Sequence, residues 1–219
     1  VAGMTRISEL TKSFMQFGKT IWDSSLGQIR TGGWARSLKM DQAKFQMGAL
    51  AKNMDSVKNG LIDSMQIVEG MIDAANRAVD GTAYGLDAAS AVASQLMASG
   101  LTSTETMYNH LRAIAGTAAM TGRSYEDIGN IFTTVASNGR LMTMQLRQFS
   151  AAGLNLSATL AQSAKFAGKT EEQINEMVTK GKISFQDFSD ALFEAYGEAA
   201  GKADETWSGV TSNVRAQLS

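Results

Sequence analysis

Apolar side chains recur along this chain at intervals of three and four residues, the repeat of an α-helix with one buried face. A first stripe consists of Ile7, Leu10, Phe14, Phe17 and Ile21, after which Gly32 and Gly33 interrupt the pattern. A second stripe consists of Ala43, Met47, Leu50, Met54, Val57, Leu61, Met65, Val68, Ile72, Ala75 and Val79. Its heptad-like spacing predicts one long coiled-coil-like helix that needs a partner along its length, either a second copy or the first helix folded back.

Shorter units follow from residue 81 onward. The small residues Gly81, Gly85, Ala89 and Ala93 are spaced by four, which predicts a ridge that another backbone can approach closely. Further helical faces are predicted by the sets Met107, Leu111, Ile114 and Ala118; Tyr125, Ile128, Phe132 and Val135; Ile174, Met177 and Val178; and Phe185, Phe188, Leu192 and Tyr196.

Helix start signals follow glycines with unusual regularity. Four pairs resemble capping boxes: Thr102 with Glu105, Ser124 with Asp127, Thr170 with Gln173, and Ser184 with Asp187. Each lies two or three residues after a glycine, which predicts short corners between helices. Six corner glycines are candidate hinges: Gly100, Gly122, Gly139, Gly153, Gly168 and Gly181.

No segment alternates apolar and polar residues with the period of a strand, so the predicted fold class is all-α. We expect long coiled-coil-like helices followed by a bundle of shorter helices joined by glycine corners. The predicted division is an amphipathic helix over residues 1–34, the long helix over 35–80, and a helical domain over 81–219. The chain begins with Val and ends within a helix-like pattern, so we expect it to be a piece of a longer protein.

The composition excludes several kinds of chemistry without indicating a particular one. The 219 residues include no Cys, one His and a net charge of −1, which excludes disulfides, thiolate chemistry, zinc sites with paired His ligands, and wholesale electrostatic binding of nucleic acid. There is no Pro, although average usage predicts about 11. The 13 Met residues fit either an ordinary core or a surface that repacks between two states.

Candidate catalytic and binding motifs are weak. Gly18-Lys19-Thr20 and Gly168-Lys169-Thr170 resemble the end of a phosphate-binding loop, but Ser13 and Ser163 stand where that loop requires an earlier glycine. His110 is predicted on a helix flank, without a Ser or Cys neighbour whose pairing could be argued. We therefore expect no enzyme, no cofactor, no metal and no specific nucleic-acid site.

Several stretches resemble the N-terminal conserved region of tail tape measure proteins of long-tailed bacteriophages. They are Tyr84–Leu101, Leu111–Asn138, Gly168–Gly181, Ile183–Tyr196 and Thr206–Leu218. Residues 1–80 share only their helical, coiled-coil-like pattern with that family. The ordered series covers nearly two-thirds of the chain.

The resemblance implies a structural role. Several copies would run along the tail lumen, determine tail length and help DNA to enter the host. The implied partners are further copies, the tail tube protein, tail-assembly chaperones, distal tail or baseplate proteins and the host membrane after ejection. The implied locations are the virion tail lumen and, during assembly, the host cytoplasm. The alternative is a membrane-active helical protein that forms a channel or perturbs the host membrane. An enzyme domain on a helical scaffold is disfavoured because no catalytic constellation is present.

A length-measuring role gives the glycine corners a possible function. As one continuous helix the chain would span about 330 Å, whereas a compact domain of its size has a radius of gyration of about 17 Å. We hypothesise that the corners straighten when copies bundle, at a cost of about 1 kcal/mol for each glycine.

Overall fold

The computed structural model describes residues 33–201, with side chains from Arg36 onward, and within that range the chain is helical without any β-strand. The helices, in chain order, are α1 (Gly33–Lys52), α2 (Asp55–Lys58), α3 (Ser64–Val79), α4 (Leu86–Ala98), α5 (Thr104–Thr121), α6 (Tyr125–Asn138), α7 (Thr143–Ala151), α8 (Leu156–Gln162), α9 (Glu171–Thr179) and α10 (Phe185–Tyr196), with a 3-10 turn at Ala164–Phe166. The predicted all-α class is confirmed. The first stripe, Ile7 to Ile21, and residues 202–219 lie outside the described residues.

One hydrophobic core runs through the described residues, and α5 lies at its centre. This helix packs against α3, α4, α6 and α10, while α1 packs against α3 and α4. The predicted faces of α5 and α6 are confirmed, since each of their named side chains is buried. The core includes residues from Met47 to Ala200, and the predicted division of the chain at residue 80 stays a prediction.

The predicted long helix over residues 35–80 is wrong. The chain leaves the helical path after Lys52, makes the single turn α2, and passes Gly60 at a φ of 70° before α3 begins. Asp63 caps α3, because its carboxylate accepts the amide of Met65 at 2.9 Å and its own amide donates to Gln66. Local capping and a left-handed glycine thus overrode an apolar spacing that continued through the break. The longest helix of the described part, α1, has 20 residues.

An aromatic cluster holds the C-terminal half of the described chain together. Phe188 of α10 lies 4.7 Å from the Phe132 ring of α6 and 5.9 Å from the Phe149 ring of α7, measured between ring centroids. Phe185 lies between Phe132 and the ring of His110. Edge-on and tilted contacts between aromatic rings stabilise such pairs by more than the burial of apolar area alone. This cluster positions α10 against α5.

Three of the four predicted caps are confirmed, and the fourth is displaced by one residue. Ser124, Thr170 and Ser184 each accept the amide three residues ahead, and the last two form complete capping boxes. At the start of α5 the cap is Ser103, which accepts the amide of Thr106, rather than Thr102. Either side chain can cap a helix, so position alone decides between them.

Candidate functional site

The predicted packing stripe is divided between the core and the surface. Met47 and Val68 are buried, and four of its residues are partly buried against the core: Leu50, Met54, Val57 and Ile72. Leu61 and Met65, which flank the break, are exposed at 76% and 47%. Most of the stripe therefore finds its partner within the chain, in α3, α4 and α5. Its coiled-coil-like pairing with a second copy and its oligomer role stay predictions.

The predicted small-residue ridge does not form along one helix. Gly81 has a left-handed φ of 66° beyond the end of α3, and Gly85 is the N-cap of α4. Only Ala89 and Ala93 lie within α4, where both are fully buried. Because the two glycines lie in the connection, they end one helix and start the next.

All six candidate hinge glycines adopt positive φ, between 65° and 95°. This backbone region disfavours any side chain, so glycine is required at these corners. Two corners lie side by side: the Leu141 amide donates to the Ile183 carbonyl at 2.9 Å, and the Phe185 amide donates to the Gly139 carbonyl at 3.2 Å. A Cβ at Gly181 would lie 3.0 Å from the Arg140 guanidinium. The corners at Gly139 and Gly181 are thereby fastened to each other, and their movement as hinges stays a prediction.

The closest backbone approach occurs at a glycine that the sequence analysis did not single out. A Cβ at Gly116, in the middle of α5, would lie 1.8 Å from the carbonyl oxygen of Tyr196 at the end of α10. In α6, a Cβ at Gly129 would meet the Val92 side chain at 2.5 Å. The available signal was a lone glycine within an otherwise helical pattern, which often marks tight packing.

The predicted placement of His110 on a helix flank is wrong. Its ring is fully buried between α5 and α10, and its Nδ1 shares a 2.7 Å hydrogen bond with the Ser189 hydroxyl. The Nε2 atom is buried without a partner. Desolvation by burial lowers the pKa of His110 to about 4, so the ring is neutral at pH 7. A histidine enclosed in this way contacts no surface from which a substrate could enter.

Arg112 joins the ends of two helices to α5. Its guanidinium donates to the carbonyls of Ala78 and Asp80, at the end of α3, and to the carbonyl of Gly197, just beyond α10. The distances are 2.9–3.1 Å. The last carbonyls of a helix lack intrahelical donors and carry the negative end of its dipole, so a guanidinium stabilises them well. The sequence analysis did not predict this contact.

The exposed apolar side chains form a set that the sequence analysis found only in part. They are Leu38, Phe45, Leu61, Ile62, Met65, Met120, Met142 and Met144. Leu38 and Phe45 lie on α1, on the side opposite its buried residues Ala43 and Met47. Their seven-residue separation is a helical signal that could have found them.

Two open clefts flank α8, with volumes of about 220 and 540 Å³. The larger includes Arg147, Ser157 and Asn175, and the Ser157 hydroxyl donates to the Asn175 side chain at 2.7 Å. Asn155 donates to Glu171 at 2.9 Å. Between residues 33 and 201, no cluster of three or more His, Cys, Asp or Glu side chains could hold a metal ion. No helix in that range is long and apolar enough to cross a membrane.

The features that the described residues bring together are packing contacts and corners between helices. Comparison with known families agrees with this character: a sequence profile described as "Tape measure protein" matches residues 40–219. This chain belongs to the tape measure protein family. The match covers α1 from Met40 and every later helix, including the break at residues 53–63. No curated protein and no solved structure matches the chain.

Membership in the tape measure family indicates a structural role for the helical fold. The family consists of structural proteins of the bacteriophage tail, so the chain is a structural component of the virion tail. The fully buried His110 and the corners that fasten helices together suit that role.

Proposed function

We propose that this chain is part of a tape measure protein that lies in the tail lumen, determines tail length, and leaves the tail to assist DNA entry into the host. The observation that carries the proposal is the family match over residues 40–219. The proposed partners are further copies of the protein, the tail tube protein, tail-assembly chaperones and distal tail or baseplate proteins. The proposed locations are the tail lumen and, during assembly, the host cytoplasm.

Length measurement requires that the chain be drawn out. Residues 33–201, 169 residues in all, would span about 250 Å as one helix, whereas a compact domain of this size has a radius of gyration of about 15 Å. Six glycine corners without any proline are compatible with straightening, since glycine can adopt helical as well as left-handed backbone angles. We propose that the packed form is an assembly state and that the chain straightens inside the tube.

Straightening costs more free energy than the change of backbone conformation at the glycine corners alone. It would separate α5 from α3 and α10 and expose the core, including the cluster around Phe188. Each large side chain exposed in this way costs about 1.5–3 kcal/mol, so the released surface must be covered again. Sister copies and the tube wall are the surfaces proposed to cover it. The exposed residues Leu61, Ile62 and Met65 are proposed as a first point of contact between copies.

Tail length in phage that carry altered tape measure genes tests the proposal. Deletion of residues 33–201 in frame should shorten tails by about 250 Å if this segment lies extended. The matched control replaces the same residues by a helical segment of equal length, and its tails should keep the original length. Measurement of tails by electron microscopy distinguishes these outcomes. If the deletion shortens tails by less than about 30 Å, the segment does not contribute to the ruler as a drawn-out chain.

A further inference from the structure

Helices α7, α8 and α9 form an excursion of the chain whose two ends lie side by side. The chain leaves α6 at Gly139 and enters α10 at Phe185, and the Phe185 amide donates to the Gly139 carbonyl at 3.2 Å. One step further along the excursion, the Leu141 amide donates to the Ile183 carbonyl at 2.9 Å. These two backbone hydrogen bonds close residues 141–183, which we call the α7–α9 unit, into a loop of 43 residues.

The α7–α9 unit is held together by its own contacts. The Asn155 amide donates to Glu171 at 2.9 Å, and the Ser157 hydroxyl donates to Asn175 at 2.7 Å, so that the first turn of α8 is joined to α9. Helix α7 packs against both α8 and α9. The unit can therefore move as one body without losing its internal packing.

The α7–α9 unit rests on α10. Among the described residues, every aromatic contact and every hydrogen bond of a side chain between this unit and another helix involves α10. These contacts are the ion pair of Lys165 with Asp187, the rings of Phe149 and Phe188 with centroids 5.9 Å apart, the Ala164 amide donating to Glu194 at 3.1 Å, and the hydroxyls of Thr159 and Tyr196 at 2.9 Å.

The boundary between the unit and the remaining helices is loosely packed. An open cleft of about 220 Å³ lies between Met120, near the end of α5, and the α8 residues Ala158 and Gln162. The ion pair of the boundary is open to water on one side, since the Lys165 side chain is 64% exposed. Exposed ion pairs contribute little to stability. Few contacts and open space thus make this boundary weaker than the core around α5.

Helix α10 has two buried sides, and they face different neighbours. Ser189 faces α5, because its hydroxyl lies 2.7 Å from Nδ1 of His110. Asp187 and Glu194 contact the α7–α9 unit, and Ala191 lies between them on the same side of the helix. Both Ala191 and Ser189 are buried. A movement of the unit alone would uncover Ala191 and leave Ser189 covered.

We propose that the α7–α9 unit is a lid that opens from α10 about the paired corners at Gly139 and Gly181, while α10 stays packed on α5. The backbone hydrogen bonds between the corners keep the lid attached. Opening uncovers the side of α10 that carries Ala191, an apolar face that the closed form hides. Local opening of a cooperative unit costs less free energy than unfolding of the whole chain.

Single thiols on the two sides of α10 test the lid, since the full chain contains no Cys. Ala191→Cys places the thiol on the lid side, and Ser189→Cys is the matched control on the α5 side. The rate of reaction with a maleimide is divided by the rate of the same variant unfolded in urea. This ratio should be at least about ten-fold higher for Ala191→Cys. Equal ratios would show that α10 leaves α5 whenever the lid opens, and would overturn the proposal.

Two lysine variants test what holds the lid closed. Lys165→Ala removes the ion pair to α10, whereas Lys180→Ala removes an ion pair to Glu176 within α9 and is the matched control. When combined with Ala191→Cys, Lys165→Ala should raise the reaction rate about two- to five-fold, and Lys180→Ala should leave it unchanged. Equal effects of the two lysine variants would contradict a lid that closes on α10.

Hydrogen exchange of the unaltered chain makes the test independent of the cysteine substitutions. Under conditions in which exchange reports the opening equilibrium, the amides of α7, α8 and α9 should exchange together and faster than those of α3 and α5. If α7–α9 exchanged no faster than α5, the lid would be excluded even where Ala191→Cys fails to fold.

Discussion

At the scale of single residues, Gly116 shows how closely the backbones of α5 and α10 approach. A methyl group at this position would overlap the carbonyl oxygen of Tyr196 and lie 2.5 Å from the carbonyl carbon. Backbone atoms at the end of a helix cannot rotate away as a flexible side chain can, so one helix would have to move. The closest contact between these two helices thus depends on the absence of a single methyl group.

We expect Gly116→Ala to lower the free energy of unfolding by about 1–3 kcal/mol, the usual range for overpacking. Gly48→Ala is the matched control, because it also lies within a helix but a Cβ there meets nothing within 4 Å. That variant should be more stable by as much as about 1 kcal/mol, since alanine favours the helix. Urea titration of both proteins measures the difference. Equal stability of the two variants would contradict the close approach.

The buried His110 makes stability depend on pH. Its pKa is lowered to about 4 in the folded chain, whereas an unfolded chain has the ordinary value of about 6.5. Between these two values the unfolded state binds more protons than the folded state. The free energy of unfolding therefore keeps this contribution above pH 6.5 and loses it as the pH falls toward 4, by about 3 kcal/mol in all.

NMR titration of the imidazole checks this prediction directly, because the chain has one His. The ring should titrate near pH 4, and a midpoint near 6.5 would show that it is exposed to solvent. His110→Gln should also reduce the slope of unfolding free energy against pH between 4 and 6.5. The carboxylates are the same in both proteins, so their contributions cancel in the comparison.

At the scale of helices, the start of α5 allows the contribution of the capping side chain to be compared with that of the residue before it. Ser103→Ala removes the acceptor for the Thr106 amide, at 3.3 Å, and should cost about 1 kcal/mol. Thr102 is exposed and lies one residue before the cap, so Thr102→Ala is the matched control and should be nearly neutral. Thermal or urea unfolding measures both. A larger loss at Thr102 would show that the helix starts one residue earlier.

Most of the helices after residue 81 could be predicted from the sequence because two local signals coincide there. Ser124, Thr170 and Ser184 cap helices whose apolar residues recur at helical spacing, such as Ile128 and Phe132. The left-handed glycines end the preceding helices at the expected corners. Each unit is short, so neither signal had to compete with the other.

Residues 35–80 could not be predicted correctly because the two signals disagree there. The apolar spacing continues through Val57 and Leu61, whereas Asp63 and Gly60 provide a cap and a left-handed turn. Apolar residues can recur at intervals of three and four across residues that are not helical, so spacing alone cannot locate a break. The tertiary contacts of Arg112 and His110 have no local sequence signal, since their partners lie 32 to 85 residues away. The lone glycine at position 116 signals tight packing but does not identify the partner, Tyr196.

At the scale of the whole molecule, one pair of serines allows the packed form to be locked. The hydroxyls of Ser99, at the end of α4, and Ser137, near the end of α6, lie 2.9 Å apart. We expect Ser99→Cys with Ser137→Cys to form a disulfide and to stabilise the chain by about 2–4 kcal/mol. The sequence has no other cysteine to compete.

The locked protein also tests whether the corners straighten. Small-angle scattering at rising concentration, with tube protein present, should show elongation of the unmodified chain. The oxidised variant should elongate less, because α4, α5 and α6 are held together, and a reductant should restore its elongation. Equal elongation of the oxidised and reduced proteins would contradict straightening at Gly100 and Gly122.

The guanidinium of Arg112 has a mechanical consequence. Because it holds the carbonyl ends of α3 and α10 together through α5, tension applied beyond Gly197 reaches Ala78 directly, without passing along the intervening chain. The first and last parts of the core are thus loaded in parallel, and the hydrogen bonds of Arg112 must break before α10 can be pulled away from α3. A chain pulled from its C-terminal end would resist until the hydrogen bonds of Arg112 break, and several helices would then separate together.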